Sequence, residues 1–216
     1  MKRGGDARDS ETGAGTKPGL HARNRFRTGY DFAALVACAP GLAAFVRPNA
    51  HGGAASIDFS DPAAVKALNG ALLSWAYGLE AWDLPEGALC PPVPGRSDYV
   101  HCVADLLADS AGAGGVVPRG ASVRVLDVGV GANGIYPLIG ASEYGWRFVG
   151  SEVDRAAVAW VRELVARHPP VAGLIECRWQ ANRRRCFQGV VAPEERFDAT
   201  MCNPPFHGSA AEAAAG

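Results

Sequence analysis

A glycine-rich turn directly after a short strand is the feature that most constrains how this chain can fold. Residues 123–128 predict a strand, and the sequence continues as Asp127-Val-Gly-Val-Gly-Ala-Asn-Gly134. Glycine lets the backbone turn sharply from a strand into a helix and approach a ligand closely. Gly129, Gly131 and Gly134 also fit the GxGxxG spacing of dinucleotide-binding turns, which is weak evidence by itself. A tight turn without a ligand therefore stays open at this point.

Strands and helices alternate after this turn. Arg147–Glu152 predicts a second strand, residues 154–168 a helix, and residues 174–179 and 197–202 two further strands. This alternation is typical of a parallel sheet with right-handed crossovers. We therefore predict a doubly wound, Rossmann-like α/β domain over residues 116–216. Such a sheet normally continues beyond a fourth strand, so we expect the domain to be truncated there and the chain to be a fragment.

The region before the turn is predicted to be helical. Asp61-Pro62 is typical of a helix N-cap followed by proline at the first helical position. Ser97 could cap a second helix, and the proline-rich residues 85–94 between the two should form an extended loop. Residues 111–120 are rich in alanine and glycine and suggest a linker. We expect three parts: a disordered tail at residues 1–19, a helical region at residues 20–115 and the α/β domain.

Composition narrows the class of protein further. The chain has 216 residues, of which 48% are hydrophobic, and a net charge of -1 that conceals local basic clusters. Its polar, glycine-rich start is unlike a signal peptide, and its longest apolar stretch is interrupted by Asp31 and Pro40-Gly41. The six cysteines form no CxxC pair. We expect reduced thiols in a cytoplasmic protein with no metal site and no membrane association.

Two acidic residues suggest which ligand the turn could hold. Asp127 stands just before the glycines, where a carboxylate can meet a cationic amino group. Glu152 ends the second predicted strand, where its side chain can accept hydrogen bonds from ribose hydroxyls. S-adenosylmethionine has an ammonium group, a ribose and no pyrophosphate, so it suits these two residues better than NAD does. Glu152 alone would suit both.

The segment Asn203-Pro204-Pro205-Phe206 follows the last predicted strand and is the most specific signal in the chain. An exocyclic amine on an aromatic ring is a poor nucleophile, because its lone pair is delocalised. The side-chain oxygen of Asn203 and the carbonyl of Pro204 can accept its two N–H bonds and favour the pyramidal, nucleophilic form. Pro205 stiffens the turn, and Phe206 offers a face for stacking an unstacked base. We predict that these four residues are catalytic; an ordinary proline-rich turn is the alternative.

These motifs resemble the bacterial large-subunit ribosomal RNA adenine-N6 methyltransferases of the RlmF type, and the eukaryotic methyltransferase-like enzymes that modify U6 small nuclear RNA. The resemblance covers residues 20–216. It rests on the glycine-rich turn, on Gly150-Ser-Glu152, on Cys202-Asn-Pro-Pro-Phe-His207 and on upstream segments such as Pro94-Gly-Arg-Ser-Asp-Tyr99.

The resemblance implies a class I methyltransferase that uses S-adenosylmethionine to methylate N6 of an adenosine in large-subunit (23S) ribosomal RNA. It also implies an N-terminal RNA-binding segment, which we place in residues 20–115. Separately, we expect the protein to be a monomer. The resemblance assigns cofactor contacts to Arg96, Gly129, Asn133, Glu152, Asn203 and Asn182. Arg96 makes sense independently, since a forked guanidinium pairs well with the cofactor's carboxylate.

Two basic clusters suit an RNA partner. One contains Arg23, Arg25 and Arg27, with Phe26 and Tyr30 interleaved. The other, Arg183, Arg184 and Arg185, follows the third predicted strand, at the sheet edge where doubly wound proteins bind ligands. Arginines placed in this way can contact phosphates. A solvated charged face is the alternative for both.

Three rival functions remain open from the sequence. The first is the same chemistry on another acceptor, such as another RNA, a DNA adenine or a protein glutamine amide. The second is an RNA-binding module that keeps the fold without catalysis. The third is an NAD oxidoreductase, which the absence of a recognisable hydride-transfer acid or base disfavours.

Overall fold

The fold is taken from a computed structural model, which describes residues 19–48, 53–110, 112 and 115–204. Almost all of the expected tail, residues 1–18, lies outside the described residues, as do Pro205 and Phe206. The elements in chain order are α1 (Phe32–Cys38), a 3-10 helix (Pro40–Phe45), β1 (Arg47–Pro48), β2 (Ala55–Ser56), α2 (Pro62–Tyr77), α3 (Val93–Ser110), β3 (Arg124–Val128), α4 (Ile135–Tyr144), β4 (Arg147–Glu152), α5 (Arg155–Ala166), α6 (Pro169–Ala172), β5 (Ile175–Trp179) and β6 (Ala199–Cys202).

A four-stranded parallel sheet in the order β5-β4-β3-β6 forms the centre of the molecule. Its register places Asp127 beside Gly150 and Met201, and Glu152 beside Trp179. The predicted parallel sheet is therefore confirmed. β4 has the predicted bounds, and the other three strands end where predicted but begin one or two residues later. The short antiparallel pair β1–β2 was not predicted from the sequence.

Two aspartates begin helices where the sequence places them. Asp61 accepts a hydrogen bond from the backbone of Ala63 at 2.9 Å, and Pro62 opens α2. Asp154 accepts one from Ala156 at 2.8 Å and is the N-cap of α5, which ends at Ala166, two residues before the predicted end. Each side chain satisfies a backbone N–H that the first helical turn leaves without a partner.

The predicted cap at Ser97 is wrong. Helix α3 begins at Val93, so the last two residues of the predicted extended loop, 93 and 94, belong to the helix. Pro94 fits in the first turn, because the N–H that proline lacks would have no partner inside the helix there. Ser97 instead lies buried within α3, and its hydroxyl is 2.5 Å from the hydroxyl of Tyr77 on α2.

The helical region and the sheet share a hydrophobic core. One cluster of buried side chains runs from Phe26 and Leu72 in the helical region to Val125 and Phe148 in the sheet. Helices α2 and α3 both pack against α4, which follows the glycine-rich turn. The first strands of the chain's α/β part are thus held in place by the preceding helices. A domain boundary near residue 115 stays a prediction.

A chain of polar contacts also joins the N-terminal segment to α3 and α4. The ring of His101 on α3 is 2.6 Å from the Tyr144 hydroxyl on α4, and Arg23 donates to the same hydroxyl at 3.1 Å. Arg23 further donates to Asp105 at 2.6 Å and to the His101 carbonyl at 3.0 Å. Burial lowers the pKa of His101 to about 4. This imidazole is therefore neutral at physiological pH and serves as a packed hydrogen-bonding group.

Candidate functional site

A cavity of about 650 Å³ opens at the carboxyl edge of the sheet. Doubly wound sheets bind ligands at this edge, and the volume falls within the range of about 300–1,000 Å³ typical of small-molecule sites. The lining comes from the glycine-rich turn, the ends of β4 and β6, the start of α3 and the loops beside them. It comprises residues 88–92, Arg96, residues 128–133, Ile135, Tyr136, residues 151–153, Gln180, Arg183, Arg185, Cys186, Asn203 and Pro204.

Glu152 at the end of β4 holds the glycine-rich turn in place. One carboxylate oxygen accepts from the backbone of Gly131 at 3.0 Å. The other accepts from Val153 at 2.6 Å and Asp154 at 3.1 Å. Gly131 can take part because its φ of 63° is one that glycine adopts without steric cost. Glu152 therefore both faces the cavity, as predicted, and organises the turn that forms one wall.

Asn133 stabilises the start of α4, the helix that follows the turn. Its side-chain oxygen accepts from the backbone of Ile135 at 3.0 Å, and its own carbonyl accepts from the indole of Trp82 at 3.0 Å. Gly134 next to it has a φ of 56°, and a Cβ there would stand 3.2 Å from Val161 on α5. The turn is thus held from the helical region on one side and packed against α5 on the other.

Asp127 lies beneath the cavity and is fully buried. Its side chain does not line the cavity, and neither carboxylate oxygen has a hydrogen-bond partner among the described residues. Burial, and secondarily the nearby charge of Glu152, raises the pKa of Asp127 from its ordinary 3.8 to about 7. A buried carboxyl group of this kind has unused capacity for a cation or a hydrogen-bond donor.

Arg96, Tyr136 and Asn203 meet on the opposite wall. The guanidinium of Arg96 donates through Nη1 to the Tyr136 hydroxyl at 2.9 Å. With its amide oxygen turned towards Arg96, Asn203 accepts from Nη1 at 2.9 Å and from Nη2 at 3.2 Å. Pro204 also lines the cavity. The predicted roles of Pro205 and Phe206 lie outside the described residues.

In the loop after β5, one polar residue lines the cavity and another does not. Gln180, which sequence reasoning missed, is buried, lines the cavity and donates to the carbonyl of Gln188 at 3.0 Å. Asn182 is exposed and accepts from the backbone of Arg184, and it is absent from the lining. Its predicted cofactor contact stays a prediction. The signal for Gln180 was available, since it directly follows a strand's carboxyl end.

The two basic clusters occupy different places. Arg183 and Arg185 line the cavity and Arg184 is exposed beside them. Arg23 is engaged by Asp105 and Tyr144, and Arg25 pairs with Glu143 at 2.8 Å. Arg27 is exposed. These contacts give Arg23 and Arg25 structural partners, whereas Arg183 and Arg185 contribute basic side chains to the cavity lining.

Neither a metal centre nor a membrane span is found among the described residues. They contain no group of three or more His, Cys, Asp or Glu side chains placed to hold a metal ion. None of the helices in that part of the chain is long and apolar enough to cross a membrane.

A parallel sheet with a glycine-rich turn, an acid ending the neighbouring strand and a cavity between them define a doubly wound α/β protein with a nucleotide-type ligand site. Residues 14–216 match the RNA methyltransferase family, and the chain belongs to that family.

Curated relatives carry the name Ribosomal RNA large subunit methyltransferase F. The chain is 56% identical over 206 residues to the protein from Aeromonas salmonicida (strain A449), which covers 95% of this chain and 64% of the relative. It is 58% identical over 200 residues to the protein from Methylobacillus flagellatus (strain ATCC 51484 / DSM 6875 / VKM B-1610 / KT), with 93% and 59% covered. The chain thus spans somewhat less than two thirds of these relatives' length.

Solved structures of METTL16 are similar in fold. The METTL16 MTase domain is 35% identical, with a TM-score of 0.73 over 87% of this chain and 70% of that one. The hMettl16 catalytic domain in complex with MAT2A 3'UTR hairpin 1 is 34% identical, with a TM-score of 0.74 over 91% of this chain and 63% of that one. A further likeness is the N-terminal domain of human METTL16 in complex with SAH, at 35% identity and a TM-score of 0.73, with 87% of this chain and 70% of that one covered. The predicted doubly wound methyltransferase fold is confirmed.

Proposed function

We propose that this chain carries the active site of an S-adenosylmethionine-dependent methyltransferase that methylates N6 of an adenosine in large-subunit ribosomal RNA. The observation that carries the proposal is the position of Asn203 and Pro204. They follow β6 directly and line the same cavity as the glycine-rich turn and Glu152. An amine acceptor pair and a nucleotide-type site thus share one space.

The cavity fits the chemical groups of S-adenosylmethionine. Arg96 takes part in none of the ion pairs within the described residues, so its charge is available for a carboxylate. Asp127 lies outside the cavity lining, beneath it, and its carboxyl group has no hydrogen-bond partner among the described residues; we assign the cofactor's ammonium to it as a counter-charge. Glu152 keeps acceptor capacity towards ribose hydroxyls, because each carboxylate oxygen can accept more than one hydrogen bond. When bound, this cofactor supplies an electrophilic methyl group.

The chain's own residues act by positioning and polarisation. The side-chain oxygen of Asn203 and the Pro204 carbonyl accept the two N–H bonds of the target amine as nitrogen becomes tetrahedral. These contacts strengthen as positive charge develops on nitrogen, so they lower the barrier more than they tighten ground-state binding. We assign Phe206 the stacking of the extruded adenine, on the sequence motif alone.

Arginines are proposed to hold the RNA. Of the three after β5, Arg183 and Arg185 line the cavity and Arg184 is exposed next to them in the sequence, and all three suit the phosphates flanking an extruded base. In the N-terminal cluster, Arg27 is the more available side chain, since Arg23 and Arg25 already have acidic partners. The names of the curated relatives support ribosomal RNA as substrate, and the hairpin complexes of METTL16 support a structured RNA. We further propose a monomer that acts in the cytoplasm.

The test is a methylation assay with labelled cofactor. The substrates are large-subunit RNA from a strain lacking the enzyme, offered protein-free and as assembled subunits, with small-subunit RNA and duplex DNA as comparisons. Digestion to nucleosides should give labelled N6-methyladenosine from large-subunit RNA. Label in small-subunit RNA or DNA alone would assign a different substrate. Cofactor binding without transfer to any of these substrates would favour a non-catalytic RNA-binding role.

A further inference from the structure

The guanidinium of Arg96 is held from two sides at once. Its Nη1 donates to the buried Tyr136 on α4, and its Nη1 and Nη2 together face the amide oxygen of Asn203 after β6. Arg96 itself sits in the first turn of α3. One side chain therefore connects three elements that are far apart in the sequence, at the wall of the cavity where the amine is to be activated.

Within the part of the chain that the structure describes, these contacts leave one edge of the Arg96 guanidinium without a hydrogen-bond partner. A guanidinium has five N–H bonds in a fixed plane. Tyr136 and Asn203 engage both N–H bonds of Nη1 and one of Nη2. The Nε–H and the second Nη2–H remain, and they form the side-on fork that matches a carboxylate in bidentate geometry. Arg96 can thus hold Asn203 and a ligand carboxylate at the same time.

The contact also decides which end of the Asn203 amide is the acceptor. An asparagine amide presents an oxygen at one end and an NH₂ group of similar size at the other, and only the oxygen can accept from a target amine. Arg96 has donors alone, so it selects the orientation in which the oxygen lies at its face. The oxygen has two lone pairs, so the target amine takes the place of the longer Nη2 contact, at 3.2 Å, while the Nη1 contact at 2.9 Å keeps the oxygen next to Pro204.

We propose that Arg96 is a positioning residue that links the cofactor's carboxylate to the orientation of the Asn203 amide. This inference rests on the proposed function. Arg96 acts on methyl transfer through Asn203, and an occupied carboxylate fork immobilises the guanidinium that holds that amide. Binding of the cofactor's carboxylate and the orientation of the Asn203 amide are therefore coupled through the side chain of Arg96.

The binding test is a double-mutant cycle measured by calorimetry with two ligands. S-adenosylhomocysteine carries the carboxylate, whereas 5′-methylthioadenosine has the same nucleoside without the amino acid. Arg96→Lys should weaken S-adenosylhomocysteine at least about tenfold and Asn203→Ala about threefold, because the guanidinium loses an anchor. The double variant should bind no more weakly than Arg96→Lys alone. The affinity for 5′-methylthioadenosine should stay unchanged throughout.

Two outcomes of this cycle overturn the proposal. One is a double variant whose loss equals the product of the two single losses, which means that the residues act independently. The other is an Asn203→Ala variant that leaves S-adenosylhomocysteine affinity unchanged or weakens both ligands equally. Arg147→Lys, at the exposed start of β4 on the opposite edge of the sheet, is the matched control and should change neither affinity.

A rate measurement separates positioning from simple cofactor binding. At saturating cofactor, Arg96→Lys should still lower the single-turnover rate at least about tenfold when Asn203 is present, and should have no further effect in the Asn203→Ala background. Full recovery of the rate at saturation would reduce Arg96 to a cofactor ligand. If the wild-type protein forms no N6-methyladenosine, the proposed function fails, while the calorimetric cycle still decides the link between Arg96 and Asn203.

Discussion

Removing the buried charge of Asp127 should change how stability depends on pH. The carboxyl group has a pKa near 7 in the fold and 3.8 as its ordinary value, with burial as the main cause. Because the folded pKa is raised, the folded state binds the proton more tightly than the unfolded state. Stability is therefore highest below pH 3.8 for this group and is lost as the pH rises towards 7.

The size of this effect follows from the difference between the two pKa values. Each tenfold change in proton affinity corresponds to about 1.36 kcal/mol, so ionised Asp127 costs the ligand-free protein about 4 kcal/mol above pH 7. Asp127→Asn keeps the shape and removes the titration. The free energy of unfolding of the variant, relative to that of the wild type, should rise by about 1.4 kcal/mol per pH unit between about pH 4 and 7. Above pH 7 the difference should stay constant.

Urea unfolding of both proteins at a series of pH values is the assay. The difference between the two free energies of unfolding isolates Asp127 from other acids, such as Glu195, whose hydrogen bond with Arg178 lowers its pKa to about 2. A difference that does not vary with pH would refute the reasoning. The same variant should lose cofactor affinity, because a neutral amide replaces the counter-charge proposed for the cofactor's ammonium.

Three further predictions follow from the site. Glu152→Ala should weaken S-adenosylmethionine by about 1–3 kcal/mol in calorimetry and also lower the melting temperature, since the backbone N–H groups of Gly131, Val153 and Asp154 lose their acceptor; Glu152→Gln should recover much of the melting temperature. Replacing Arg183, Arg184 and Arg185 by Gln should make RNA affinity less dependent on salt. The slope of log affinity against log salt concentration should fall by about 0.7 for each single-strand phosphate that the protein no longer neutralises. A slope equal to that of the Arg147→Gln control would mean that the cluster is only a solvated face. Arg23→Ala should lower the free energy of unfolding by about 1–3 kcal/mol, because it removes the hydrogen bonds to Asp105 and Tyr144. Arg27→Ala should lower RNA affinity alone. Unfolding and filter-binding measurements on both variants test this, and the reverse pattern would contradict the assignment of a structural role to Arg23 and an RNA-binding role to Arg27.

Local signals made much of the α/β part predictable. The strand at Arg147–Glu152, the cap at Asp61 and the helix start at Asp154 depend on neighbouring residues, and each lies where the sequence places it. The cap at Ser97 fails because tertiary contact with Tyr77 buries that hydroxyl and the helix begins earlier, through a proline tolerated in its first turn.

The sequence predicts the site residues that stand at the end of a strand. It does not predict contacts that depend on a hydrogen-bonding partner far away in the chain. Glu152 and Asn203 reach the cavity because parallel strands bring their carboxyl ends to one edge. The sequence cannot reveal that Asp105 and Glu143 engage Arg23 and Arg25, since these partners lie about eighty and more than a hundred residues away. It likewise gave no sign that Arg96 holds the Asn203 amide.

Single-turnover methyl transfer by Asn203→Ala is the most direct test of the central claim, that this cavity activates an adenine amine through Asn203. The measurement uses the whole protein, large-subunit RNA and saturating cofactor, with RNA affinity determined in parallel. Loss of one preorganised acceptor should lower the rate on the order of 10²–10³-fold while RNA affinity hardly changes. A rate close to that of the wild type would mean that the turn after β6 is only structural, and would contradict the account.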